Sequence, residues 1–391
     1  MPDHDPNAEL NILIPRNISR RQALQIGGAG ALSLWVAACG GSSGGESGGG
    51  GAAAKTVATA APIEKGPVLL ANWQDYSDPA NYKGYQSSLG PKINVSGYGS
   101  NEELLAKLNA GGSAFDIVAP TGYAVKTMID KGQALKLNRD LIPNLKNLQD
   151  KFTKTDYDPG NVYSVAKDYG VTSFYWRTAV VKEQPKTLAE AFEVLKSLPK
   201  SARVNVLEGS TQNFALALLA LDFSLNTEDP GEIDQAKELL KSVKGNIDTI
   251  NSTYIQRASR GDIDFGMGWN GDVARVIEAR AKKDDEVVFL VPDGKTEYWV
   301  DNWVIPTAAK NPVAAHKWIN YVLDPKAAAA ETAYHQYPVP VKGVEEFAPK
   351  EIVNNKVIYV DEAKIANYET QVITPKGQQL RDRAYTEFKA V

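Results

Sequence analysis

The chain is poor in the residues that most often carry chemistry: its 391 residues include one cysteine, three histidines and three methionines. A single cysteine excludes an internal disulfide, so the fold must rest on its apolar core. Histidine and cysteine are too few for a closed metal centre, and none stands at ligand spacing, so no metal or cofactor is expected. A nucleophile elbow and a phosphate-cradling Gly-Lys-Ser/Thr loop are missing too, which argues against an enzyme. Positive charge is also short. The formal net charge is −4, the wrong sign for neutralising nucleic-acid phosphates. No apolar stretch beyond the first 40 residues approaches the about 20 needed to cross a bilayer.

What is present begins at the amino terminus. Ser19-Arg20-Arg21-Gln22-Ala23-Leu24 places a twin arginine before an apolar stretch over 23–38. The pattern is that of a Tat-type export signal, with Gln25 standing where lysine is common, and the apolar stretch would equally suit the general secretory route. The stretch ends in Val36-Ala37-Ala38-Cys39-Gly40, which resembles the lipobox of bacterial lipoproteins. Small residues fit a signal peptidase there, and the sulfur of Cys39 would take the lipid. Residues 1–39 are therefore expected to be a lipoprotein signal peptide, and the mature protein to be periplasmic and anchored to the membrane. Residues 40–64 open on a run of Gly, Ser and Ala with almost nothing large to bury, and are expected to be a flexible tether.

From residue 65 short apolar runs alternate with segments of helical period, which predicts an α/β architecture with largely parallel strands. Strands are expected over 67–73, 92–98, 115–119, 203–207, 263–268, 287–291 and 298–305. Helix starts are marked by the capping boxes Ser100-Asn101-Glu102-Glu103 and Thr187-Leu188-Ala189-Glu190. Asn311-Pro312, Asp324-Pro325 and Thr374-Pro375 each place a cap residue before a proline at the first helical position. The last of these opens a helix expected over 375–389.

Aromatic residues fall at strand ends and in the turns after strands: Trp73, Tyr76, Tyr123, Trp269, Trp299 and Tyr337. Open α/β sheets place their ligand crevices there. Any one of them could be a core or rim residue, but Asp75 follows Trp73 closely, and Asp301 is two positions from Trp299 and so shares its face on a strand. Ring faces attract a cation and a carboxylate accepts its N–H bonds. A cationic amine is the ligand these residues predict.

Five blocks in order carry a family resemblance: Asn72-Trp73-Gln74-Asp75-Tyr76, Phe115-Asp116-Ile117-Val118-Ala119-Pro120-Thr121-Gly122-Tyr123, Gly266-Met267-Gly268-Trp269-Asn270-Gly271, Trp299-Val300-Asp301-Asn302-Trp303-Val304-Ile305-Pro306 and Tyr337-Pro338. From about residue 67 onward the chain resembles the spermidine/putrescine-binding proteins of ABC importers. The resemblance implies a two-lobed periplasmic-binding-protein (Venus flytrap) fold with crossing hinge strands. Lobe 1 would comprise 65–171 and 303–336, and lobe 2 172–302 and 337–391. It also implies that a polyamine is held in the cleft and handed to an ABC permease whose separate ATPase subunits supply the energy. The family's contacts carry over to Trp73, Asp75, Tyr76, Thr121, Tyr123, Trp269, Trp299, Asp301, Tyr337 and Gln371. The departure lies in the second lobe, where two family acids fall on Gly209 and Gln212, with Glu208 beside them as a substitute. Fewer acids than ammonium groups leaves a shorter amine, a zwitterion or a short peptide as alternative ligands. A ligand-responsive sensor would use the same two lobes.

Overall fold

The computed structural model describes residues 56–110, 115–281, 283 and 285–390. The expected signal peptide, Cys39 and the tether up to residue 55 lie outside the described residues.

The nine strands among the described residues are β1 (Val68–Trp73), β2 (Ile93–Tyr98), β3 (Ile117–Val118), β4 (Ser164–Arg177), β5 (Val204–Val206), β6 (Thr249–Ile250), β7 (Phe265–Trp269), β8 (Val287–Phe289) and β9 (Glu297–Val304). They join in the order β2-β1-β3-β9-β4-β7-β5-β6, with β8 on β4. The expectation of largely parallel strands holds only toward the two ends of the sheet, where β1 pairs in parallel with β2 and β3, and β5 with β6 and β7. At the centre β4 and β9 run antiparallel to each other, and each is antiparallel to its other neighbours. The reason is that β4 carries the chain from the first half to the second and β9 carries it back, so the two run in opposite directions.

β4 shows how the halves are joined. Its 14 residues are buried except the last. Val165, Ala166 and Tyr169 enter a core with Val68, Ile117, Trp303 and Trp318, while Val171, Phe174 and Trp176 enter a second core with Phe192, Leu216, Phe265 and Phe388. The second core surrounds the helix Ser210–Ala220, whose run of Phe, Ala and Leu is almost wholly buried. A register shift between Ala166 and Asp168 marks a bulge in β4 at Lys167.

Helix starts follow the predicted chemistry. The Ser100 hydroxyl accepts from the backbone N–H of Glu103, and Thr187 from that of Glu190. In both cases the glutamate reaches back to the N–H of the residue before the cap, Gly99 and Lys186. Asp324 and Thr374 cap as expected, and the last helix is Pro375–Lys389. Asn311 does not cap its helix: its amide donates to Asp116 and to the Pro67 carbonyl. Glu64 accepts from Val313 and Ala314 instead.

Glu64 also shortens the expected tether. Val57 and Ile63 pack on the first core, and the Val57 carbonyl accepts from Asn138, so 56–64 is laid against the body. A second boundary moves as well. Val339, Val341, Val344 and Ala348 belong to the core of Val68 and Trp318, whereas Val360, Tyr368 and Phe388 belong to the other. The return of the chain to the second half thus comes after about residue 348, not at 337. No helix of the described residues is long and apolar enough to cross a membrane.

Candidate functional site

Strand ends deliver the aromatic residues to one place. Trp73 closes β1, and Asp75 after it adopts φ 51°, a left-handed turn that aspartate tolerates and that directs Tyr76 inward. Trp269 closes β7, Trp299 lies on β9, and Tyr337 follows a helix whose cap, Gln336, is also left-handed at φ 60°. Tyr76, Trp299 and Tyr337 form a buried cluster with Trp73 and Trp269 packed against it. Ring centroids of Trp299 and Tyr337 are 5.2 Å apart, those of Tyr76 and Tyr337 5.4 Å, and those of Trp73 and Trp269 6.2 Å. Two glycines make the approach feasible. A Cβ at Gly170 would strike the Trp299 ring and Asn270 Oδ1, and one at Gly271 would come within 2.6 Å of the Tyr337 ring.

These rings enclose a cavity of about 470 Å³ between the halves, lined also by Gln74, Asp75, Tyr98, Thr121, Gln212, Asp272, Glu297 and Asp301. Asp301 is 4% exposed and accepts from the hydroxyls of Thr121 at 2.6 Å and Tyr76 at 2.9 Å. Tyr76 is placed between two carboxylates, 2.7 Å from Asp168 Oδ1. Asp168 is ion-paired with the buried Lys167, whose ammonium stands 3.7 Å from the centre of the Tyr76 ring. Burial, and then the Asp168 carboxylate, hold the Asp301 carboxyl above the usual range. Asp272 is partly buried and hydrogen-bonded to the Tyr337 hydroxyl at 2.8 Å; burial pushes it up to about 6. The site therefore carries acids that are hard to ionise without a cation beside them. Among the described residues no group of acids, histidines and cysteines is arranged to hold a metal ion.

The family of bacterial extracellular solute-binding proteins matches residues 68–358. The chain belongs to that family. The spermidine/putrescine-binding periplasmic protein 1 of Haemophilus influenzae is 32% identical over 338 residues, covering 85% of this chain and 91% of that protein. The spermidine/putrescine-binding periplasmic protein of Salmonella typhimurium is 30% identical over 321 residues, covering 82% and 90%. A solved spermidine/putrescine ABC transporter chain from Listeria monocytogenes superposes with a TM-score of 0.77 at 25% identity, covering 83% of this chain and 99% of that one. The architecture is thus the two-lobed fold of periplasmic binding proteins, and the relatives are transport components rather than enzymes.

In this binding protein nine of the twelve expected ligand residues line the main cavity: Trp73, Asp75, Tyr76, Thr121, Gln212, Trp269, Trp299, Asp301 and Tyr337. Three do not. The Tyr123 hydroxyl is engaged by Asn101 and Glu102, at 3.0 and 3.2 Å, and its ring faces a second cavity of about 350 Å³ that also contains Gln371. The two cavities meet at Thr121 and Trp299. Glu208 is exposed and stands beside Gly99 on the opposite half, outside both cavities. The helix that follows Gly209, with φ 94°, brings Gln212 to the cavity wall, whereas Glu208 precedes that turn and does not line the wall.

Sequence reasoning missed Asp272 and Glu297. Both signals were available: Asp272 lies in the first turn of the helix that follows Trp269, and Glu297 is two residues before Trp299 on the face that Asp301 shares. Lys167 and Asp168 were not legible, since only the bulge in β4 brings them under Tyr76.

Proposed function

We propose that this protein captures a polyamine, spermidine or putrescine, between its lobes in the periplasm and delivers it to an ABC permease served by separate ATPase subunits. Support comes above all from one arrangement: Asp301, buried within a cage of Tyr76, Trp299 and Tyr337. Ring faces and a desolvated carboxylate together suit an ammonium with a methylene stem and disfavour an anion. The ligand contacts are Trp73, Asp75, Tyr76, Thr121, Gln212, Trp269, Trp299, Asp301 and Tyr337. The relatives named above, which share the fold over most of their length, agree with that ligand class. The lipobox at Cys39 supports a lipid anchor.

A zwitterionic amine is the second reading, favoured by Arg257 and Arg260, which line the same cavity and would accept a carboxylate. Both arginines already pair within the second half, Arg257 with Asp248 and Arg260 with Asp262, which weighs against it. A thermal-shift screen of the full chain against spermidine, putrescine and zwitterionic amino acids separates the two. A ligand at 100 times its Kd adds about 2.7 kcal/mol of stability. The polyamine reading expects that shift from the two amines, and a shift from zwitterions alone would overturn it.

A further inference from the structure

Glu297, the first residue of β9, is 1% exposed yet lines the main cavity. Its Oε2 makes no hydrogen bond of good geometry among the described residues, and the side-chain donor that faces it is the neutral hydroxyl of Thr172, its cross-strand neighbour on β4. No ion pair among the described residues includes it. Asp301 differs, since Thr121 and Tyr76 both donate to it. A buried carboxylate faced by a neutral hydroxyl and by no cation is costly in a folded protein. A carboxylate in that state on a ligand cavity has a cationic partner missing, and an ammonium supplies one.

Strand geometry sets the spacing. Glu297, Trp299 and Asp301 alternate onto one face of β9, so the indole stands between the two acids. Four residues of strand separate the Cα atoms of Glu297 and Asp301 by ~13 Å. An extended four-carbon diamine spans roughly half of that at standard bond lengths. We propose that Glu297 binds the far ammonium of a linear triamine whose other end sits at Asp301 and whose methylene chain lies along Trp299. Glu297 thereby selects a triamine over a diamine, and takes over the charge that the turn at Gly209 and Gln212 does not supply. This deepens the polyamine reading and depends on it. Burial pushes the free Glu297 carboxyl up to about 7, so binding an ammonium there releases a proton near neutral pH.

The test is isothermal titration of the full chain, wild type, E297Q and D301N, with spermidine and with putrescine. In E297Q, spermidine affinity should fall about 10- to 100-fold, the range expected for one charged hydrogen bond in a buried site, and the preference for spermidine over putrescine should collapse by at least about tenfold. D301N should weaken both ligands. Proton release on spermidine binding at pH 7, read from the dependence of the heat on buffer ionisation, should drop in E297Q, a change that a purely structural role would not produce. Unchanged spermidine affinity, equal loss of both ligands or unchanged proton release would each overturn the role of Glu297 while leaving the polyamine reading in place. A wild-type protein that binds neither amine would overturn both.

Discussion

On the wall formed by the first half and β9, Asp301 is held by two hydroxyls, backed by Asp168 and Lys167 and walled by aromatic rings. On the opposite wall the first turn of the helix Ser210–Ala220 offers an amide, Gln212, and the helix Ile255–Arg260 offers two arginines. Under the proposed function, charge recognition is therefore concentrated on one wall and along one strand. The other contributes ring surface through Trp269 and a carboxylate, Asp272, tied to Tyr337. Contact between the walls at the mouth is polar: Thr211 donates to Glu102 at 3.0 Å.

The largest effect expected is on the charged wall. D301N should weaken amine binding more than 100-fold, since stranding a buried charge by removing its partner costs about 3–5 kcal/mol. A loss below about threefold in a calorimetric titration would mean that the wall is not where charge is read. Acidity should act through the same groups. Asp301 and Glu297 are raised in the free protein, the latter to about 7, and an ammonium needs them ionised. Amine affinity should therefore be highest above about pH 7 and fall as pH drops below it, by up to about tenfold per pH unit for each proton taken up. The stability of the free protein should run the other way. A carboxyl raised in the folded state stabilises below its unfolded value of about 4 and loses that contribution as pH rises through about 7. The ligand-free protein should then melt higher at pH 5 than at pH 8, with the gap narrowed by saturating amine.

Packing behind the cage gives the next effect. G170A would drive a methyl group into Trp299 and Asn270, and overpacking of this kind costs about 1–3 kcal/mol, visible in chemical denaturation. On the poorer wall, Q212E would place an acid facing the cavity and should tighten diamine binding by about twofold to fivefold, the range of one partly screened charge pair. No gain would mean that this turn does not approach the ligand. The smallest effect belongs to Glu208. E208Q should change amine affinity by less than about twofold, since exposed charges couple weakly. A larger change would return Glu208 to the site.

Legibility differed between these regions for a physical reason. Trp73, Tyr76, Trp269, Trp299 and Asp301 could be read because strand ends and strand alternation are local rules. Glu297 obeys the same alternation but lies one residue before the strand expected over 298–305, and only its burial makes it informative. Glu208 does not line either cavity, for the converse reason. Its position next to Gly209 and Gln212 is sequence adjacency, and a left-handed glycine turn decides which neighbour faces inward. Tyr123 and Gln371 fell on a separate cavity because Trp299 and Thr121 divide the cleft, which no spacing in the chain reports.

By itself, the sequence determined the alternation of strands and helices, the caps that start them, the aromatic composition of the cleft and the acid at Asp301, since each follows from a few neighbouring residues. Packing between distant segments set the antiparallel crossing of β4 and β9, the docking of residues 56–64 against the body, the place of Lys167 and Asp168 beneath Tyr76, and the burial of Glu297 with no cationic partner among the described residues. Those outcomes depend on which distant segments exclude water from one another, and exclusion of water is a property of the packed whole.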